Sequence, residues 1–173
     1  MRSRTVTGTA AALTALLVST APAMAQAASD RPLLAVGVSF LYDNEDESAT
    51  GAAVDVVHNF AVRGSIGIGA VIDFGFHRYS EGVVNLNVTS FMGGVRFTSF
   101  ASDRVRPFGQ FLAGAERCCG STDFAWQPGG GVDLVVTDTM NLRALVDFRV
   151  VRFEGQDFRE TRFTFGVSLP LGR

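Results

Sequence analysis

From residue 33 onward, apolar and polar positions alternate in stretches of roughly ten residues, separated by segments rich in turn-forming residues. The clearest stretch covers 62–77. Val62, Ile66, Ile68, Ala70, Ile72, Phe74 and Phe76 share one parity, and Arg63, Ser65, Gly67, Gly69, Asp73, Gly75 and His77 share the other. A period of two held this long predicts a strand and excludes a helix. The same rule runs through Leu142–Val150 and through Phe163–Leu169, and more briefly through Ala52, Val54 and Val56. Eight strands are predicted, near 33–42, 50–58, 62–77, 84–98, 105–116, 126–136, 140–152 and 160–170. Pro107 and Pro128 are placed near strand starts, where proline is tolerated.

Alternation alone suits both a soluble sandwich and a membrane barrel, because each separates an apolar face from a polar one. Three features favour the barrel. The connections after strands 1, 3, 5 and 7 (43–49, 78–83, 117–125 and 153–159) read as long and polar. Those near 59–61, 99–104 and 137–139 read as short. Aromatic residues gather at strand ends, with Tyr42, Phe76, Tyr79 and Trp126 at one rim and Phe60, Phe97, Phe100 and Phe108 at the other. Glycines on the polar face of strand 3 and the run Gly129-Gly130-Gly131 suit a narrow, strongly curved wall. The fold expected is all-β, an eight-stranded antiparallel up-and-down transmembrane barrel.

In that setting energy decides which face meets lipid. An arginine facing hydrocarbon at mid-bilayer costs about 2–4 kcal/mol. Asp55, Arg63, Asp73, Arg96, Asp133, Arg143, Asp147, Arg149 and Arg162 are therefore expected to point into the lumen and the Phe/Ile/Val faces outward. Eight strands enclose only enough space for their own side chains. Such charges are tolerable there if they pair, so a plug of ion pairs is expected.

The N-terminus adds the address. Arg2 and Arg4 precede an apolar run centred on Ala10–Val18, and Ala23-Met24-Ala25 forms an A-x-A site before Gln26. That is the layout of a cleaved secretory signal over 1–25, with an apolar core too short for a transmembrane helix. The barrel domain would then be 26–173. The formal charge of −2 becomes more negative once the two arginines are removed, which argues against nucleic acid as a partner. Every basic residue is arginine, which excludes Schiff-base chemistry on lysine.

Two further clusters carry candidate chemistry. Cys118 and Cys119 are adjacent, and in an oxidising compartment they are candidates for a strained vicinal disulfide or for pairing with another molecule. Two thiols and the distant His58 and His77 are too few for a metal site. The acidic run Asp43-Asn44-Glu45-Asp46-Glu47 lacks the spacing and central glycine of a calcium loop, so it reads as a solvated connection. No cofactor is expected.

The signal segment, the strand count and a final strand reading R-F-T-F-G-V-S-L-P-L-G-R resemble the small eight-stranded outer-membrane β-barrel proteins of the OmpA/OmpX type. The resemblance spans nearly all of residues 26–173. It implies residence in the bacterial outer membrane, contact with its lipid, and insertion by the barrel-insertion machinery, which reads the terminal strand. It also implies a monomer with four external loops and a role in envelope integrity or surface interaction. Some barrels of this class modify lipid A with a His/Ser pair and a carboxylate. Here His77, Ser80 and Glu81 are the corresponding set, and the weaker reading is a lipid A deacylase-like enzyme. A narrow channel and a soluble lipocalin-like carrier are the remaining alternatives.

Overall fold

The computed structural model describes residues 31–43, 48–81, 84–153 and 155–171, and not the side chains of 80, 81, 84, 85 and 153. The segment 1–25 lies outside the described residues, as does most of the acidic run after Asp43. Eight strands form: β1 (Leu33–Asp43), β2 (Ser48–Arg63), β3 (Ile66–Glu81), β4 (Val84–Ser99), β5 (Val105–Cys118), β6 (Ser121–Thr137), β7 (Met140–Phe153) and β8 (Gln156–Pro170). Each pairs antiparallel with its neighbour in sequence. The β1–β8 ladder, from Leu33↔Pro170 to Asp43↔Glu160, closes the sheet into a barrel.

Closure removes every free sheet edge and leaves two environments. Ile66, Ile72, Phe74 and Phe76 of β3, Phe111 of β5, Phe148 of β7 and Phe165 of β8 project outward as a belt of exposed apolar side chains. The alternate residues point into the lumen. The start of β1 and the end of β8 share one end of the barrel with the β2–β3, β4–β5 and β6–β7 turns, and the opposite strand ends are here called the mouth.

Several sequence expectations need correction. The connections at the mouth are not long: the strands run on as paired hairpins, as in Arg117↔Thr122 and Arg152↔Asp157, until only 44–47, 82–83, 119–120 and 154–155 remain between them. Polar residues there satisfy their backbone through the ladder, so polarity did not mean loop. Residues 59–61 are not a turn either. The register shifts between Asn59 and Ala61, a bulge that opposes two residues to one, and β2 continues to Arg63 before turning at Gly64-Ser65. Gly64, with φ of 60°, supplies the left-handed backbone that this turn needs.

The bulge has a consequence for side-chain direction. Beyond it Val62 pairs with Gly67 of the inward set, and Arg63 pairs with the outward Ile66. Arg63 is therefore exposed on the outer face at the terminal end, not in the lumen. Two residues assigned to the aromatic rims also face inward. Tyr79 and Phe108 are 7% and 6% exposed, because they share parity with the buried His77 and Gln110. Pro128 lies within β6 rather than at its start. There the β6–β7 ladder skips from Trp126 to Gly129, at the point where proline offers no N–H.

Candidate functional site

The lumen is organised by parity. Asp55 of β2, Asp73 of β3, Arg96 of β4, Asp133 of β6, Arg143, Asp147 and Arg149 of β7, and Arg162 of β8 are all buried on the inner face. Their hydrogen bonds and ion pairs form one chain across the barrel's waist. Arg143 donates to both oxygens of Asp133, at 2.7 and 2.8 Å, and with its remaining Nη1 reaches Asp55 at 2.8 Å. Asp55 also meets Arg96 Nη1 at 3.2 Å. Arg96 Nε donates to Gln110 Oε1 at 2.9 Å, and Gln110 Nε2 donates to Asp147 Oδ1 at 2.8 Å. Arg162 closes the chain, donating to Asp147 at 2.7 Å and, through both Nη atoms, to Asp73 at 2.9 and 3.0 Å.

Planar guanidinium forks suit this work, because each can engage two carboxylates in fixed directions. Residues far apart in sequence become partners only because the sheet closes: Arg143 and Asp55 are 88 positions apart, and Arg162 and Asp73 are 89. The Phe108 ring lies against Arg96 and Arg143, at 4.3 and 5.0 Å from the guanidinium carbons. Gly129 opposes Asp147 in the ladder, and a Cβ at Gly129 would collide with the Asp147 carboxylate. Between Asp55, Asp73, Arg143 and Thr164 lies a void of about 10 Å³, room for a single water.

Above the waist the arrangement changes. Arg149 donates to Gln127 Oε1 at 2.8 Å, to Ser90 Oγ at 3.1 Å and to Glu116. Glu160 Oε2 is 3.8 Å from the same arginine, is buried, and makes no hydrogen bond, while its Oε1 is 3.4 Å from the Tyr79 hydroxyl, which donates to it. One cation thus serves two carboxylates. Over this level opens a cavity of about 710 Å³. Val88, Val151 and Tyr79 are the buried apolar part of its wall, with Leu86 and Phe158 more exposed. Its carboxylates are Asp43, Glu116, Asp123, Asp157 and Glu160, and among the described residues its one basic side chain is Arg159.

The β5–β6 turn also lines the cavity. Cys118 pairs with Ser121, and Cys119 and Gly120 at its centre have φ of 56° and 90°, the backbone of a primed hairpin turn. The two sulfurs are 2.6 Å apart, and both cysteines are free thiols here. Burial, the neighbouring Cys119 sulfur and the nearby Glu116 and Glu160 push the Cys118 thiol up to about 12, so it stays protonated. Among the described residues no three His, Cys, Asp or Glu side chains are placed to hold a metal ion.

His77 is fully buried in the lumen, not at the lipid-facing rim. Its Nε2 is 2.8 Å from Ser39 Oγ, and Ser39 in turn accepts from Thr164 at 3.3 Å. Ser39 is itself 0% exposed, so this serine and histidine pair cannot meet a lipid substrate. The side chains of Ser80 and Glu81 lie outside the described residues. Sequence reasoning missed Ser39, Ser90, Gln110, Glu116 and Gln127, which extend the lumen's hydrogen bonds. Parity was the available signal: Gln110 and Glu116 lie six residues apart on one face of β5, and Gln127 and Asp133 six apart on one face of β6.

The family model for the outer membrane protein beta-barrel domain matches residues 11–169. No curated protein sequence matches the chain. Among solved structures, Neisserial surface protein A superposes with a TM-score of 0.60 at 13% identity, over 81% of this chain and 96% of that one. Ail, the attachment invasion locus protein of Yersinia pestis, gives 0.54 at 13% identity over 82% and 97%. The outer membrane enzyme PagL gives 0.58 at 12% identity over 81% and 99%. At these identities the likeness is one of fold, and the three share it while differing in what they do.

Proposed function

We propose, from the premise that the chain belongs to the outer membrane protein beta-barrel domain family, that it is a non-conducting, non-enzymatic barrel of the bacterial outer membrane acting through its mouth. The location follows from the family. The closed lumen and the surface role are our reading. One observation carries it: the waist network crosses the lumen from β2 to β8, and the void between Asp55, Asp73 and Arg143 is about 10 Å³. In this reading the barrel is monomeric, is surrounded by outer-membrane lipid, and is inserted by the barrel-insertion machinery after loss of residues 1–25. The mouth faces outward and both termini face the periplasm.

The enzymatic alternative loses support because His77 is inside the barrel and bonded to Ser39, whereas attack on a membrane lipid needs a group on the lipid face. The lipocalin-like alternative needs an apolar interior, and the waist is lined with charge. Ail has been solved with the heparin analogue sucrose octasulfate. The acidic mouth of this chain is poorly suited to so anionic a ligand.

Planar-bilayer recording tests the closed lumen: purified protein should show no steady porin-like conductance, and a large stable open state would overturn the reading. A tag inserted at 154–155 should be accessible to antibody on intact cells, and one at Ser102 should not. His77→Ala should leave the lipid A profile unchanged.

A further inference from the structure

We propose that Arg78, Arg117 and Arg152 form a collar on the outer wall of the mouth that binds the phosphate headgroups of lipids in the surrounding leaflet. The three belong to β3, β5 and β7, which all rise toward the mouth and carry the same pattern. From Ile66 to Phe76, from Val105 to Ala115 and from Met140 to Val150, every outward residue is apolar, proline or glycine. The three runs are equal in length, and each covers roughly 25 Å of height in a tilted strand, the height of a barrel's apolar band. Two residues past each run stands the arginine, and all three arginines are exposed.

Side-chain parity sorts charge at this level. Glu116, Asp123 and Glu160 turn toward the cavity, while the arginines turn to the lipid side. Arg159 of β8, which pairs with the outward Val150, has the same parity and also reaches the cavity rim. Asp157 lies 3.3 Å from Arg152, an exposed contact of the kind that contributes little and that a phosphate can replace. Among the described residues Arg78 and Arg117 have no carboxylate partner. Arg78 donates to Asn87 at 3.2 Å, and Arg117 lies between Thr89 and Thr122 in its two ladders. A lipid whose tails lie on the exposed Phe76, Phe111 or Phe148 carries its headgroup at this height, and a guanidinium fork matches the oxygens of a phosphate. The other end lacks the pattern. Two residues before the same apolar runs stand Gly64, Asp103 and Asp138, so Arg63 and Arg104 share that end with acids. A soluble polyanion at the cavity meets carboxylates, whereas a phosphate in the leaflet meets only the outer wall. The collar rests on the membrane location, and the proposed orientation makes its leaflet the outer one; a conducting lumen would leave it unchanged.

The test places the full mature chain in phosphatidylcholine vesicles with a trace of spin-labelled phosphatidic acid or spin-labelled phosphatidylcholine. Electron paramagnetic resonance reads the protein-bound fraction of each. Averaged over the lipid shell, phosphatidic acid should be held at least about threefold more strongly than phosphatidylcholine. Changing Arg78→Gln, Arg117→Gln and Arg152→Gln together should bring that ratio below about 1.5, with heat-modifiable gel mobility confirming the fold. Should the triple variant not fold, Arg117→Gln alone should lower the ratio, because that side chain has no carboxylate to strand. Arg63→Gln, outward at the other end, should lower it less than Arg117→Gln does. Inorganic phosphate should compete no better than sodium chloride of equal ionic strength. A ratio near one in the parent, a ratio unmoved in the folded collar variants, an equal loss from Arg63→Gln, or specific displacement by inorganic phosphate would overturn the collar.

Discussion

The waist and the mouth of this barrel are built from the same strands and the same residue types, yet they solve opposite problems. At the waist, Asp133, Arg143, Asp55, Arg96, Gln110, Asp147, Arg162 and Asp73 follow one another in an unbroken run of hydrogen bonds and ion pairs. At the mouth, acids outnumber bases, a cavity opens, and a cysteine occupies a left-handed turn position. The difference teaches where this chain can afford incompleteness. A charge deep in the membrane span has no water to fall back on, so its partners must be supplied by the fold. A charge nearer the mouth has solvent closer to hand, and one arginine can serve two carboxylates there.

The largest expected effect comes from breaking the waist. Arg143→Ala leaves Asp133 without a cation and Asp55 with Arg96 alone, and should destabilise the barrel by about 3–5 kcal/mol. Urea unfolding in lipid vesicles, followed by gel mobility, measures it. A loss under about 1 kcal/mol would mean that water already compensates those acids, and that the waist resembles the mouth after all. Gln110→Leu removes the neutral link between Arg96 and Asp147. It should cost about 1–3 kcal/mol by the same measurement, since two charged groups each lose a hydrogen bond.

The outer wall gives the next contrast. Ile72→Arg, in the exposed apolar face of β3, should cost about 2–4 kcal/mol and slow insertion. Arg63→Ile, on the same face beyond the bulge, should be tolerated within about 0.5 kcal/mol. Equal penalties would place Arg63 in the lumen and remove the bulge from the account.

The smallest effect is expected at the turn of the mouth. Cys119 holds φ of 56°, which glycine adopts without steric penalty. Cys119→Gly should therefore stabilise the barrel by up to about 1 kcal/mol. If the two sulfurs close a vicinal disulfide in the cell, the same substitution would instead remove that bond. Thiol titration of the protein as isolated, before any reductant is added, separates the two outcomes.

Much of this molecule could be read along the chain, because a strand's side chains alternate whatever the strand pairs with. Asp73, Asp147 and Arg162 were assignable to the lumen from parity and from the penalty for charge in hydrocarbon. The eight alternating stretches implied an all-β fold, and the aromatic rims and inward glycines favoured a barrel over a sandwich. Parity held only while the strand was regular. The bulge between Asn59 and Ala61 depends on how β2 and β3 align, and it turned Arg63 outward against the local pattern. Hairpin length was equally hidden. Arg117 and Thr122 look like loop residues until their pairing is seen, since backbone hydrogen bonding across a ladder leaves little trace in side-chain polarity.

The sequence by itself determined the strands, their two faces and the need for buried charges to find partners, all of which follow from local periodicity and solvation. Only the tertiary structure decided which partners those are. Closure of β1 against β8 carries Arg143 to Asp55, Arg162 to Asp73 and His77 to Ser39 across the lumen. The barrel's curvature also brings Glu116 of β5 to Arg149, whose neighbour Glu160 is already its partner in the β7–β8 ladder. The contacts of Arg143 with Asp55, Arg162 with Asp73, His77 with Ser39 and Arg149 with Glu116 each join residues more than thirty positions apart, a separation at which no local pattern specifies who meets whom.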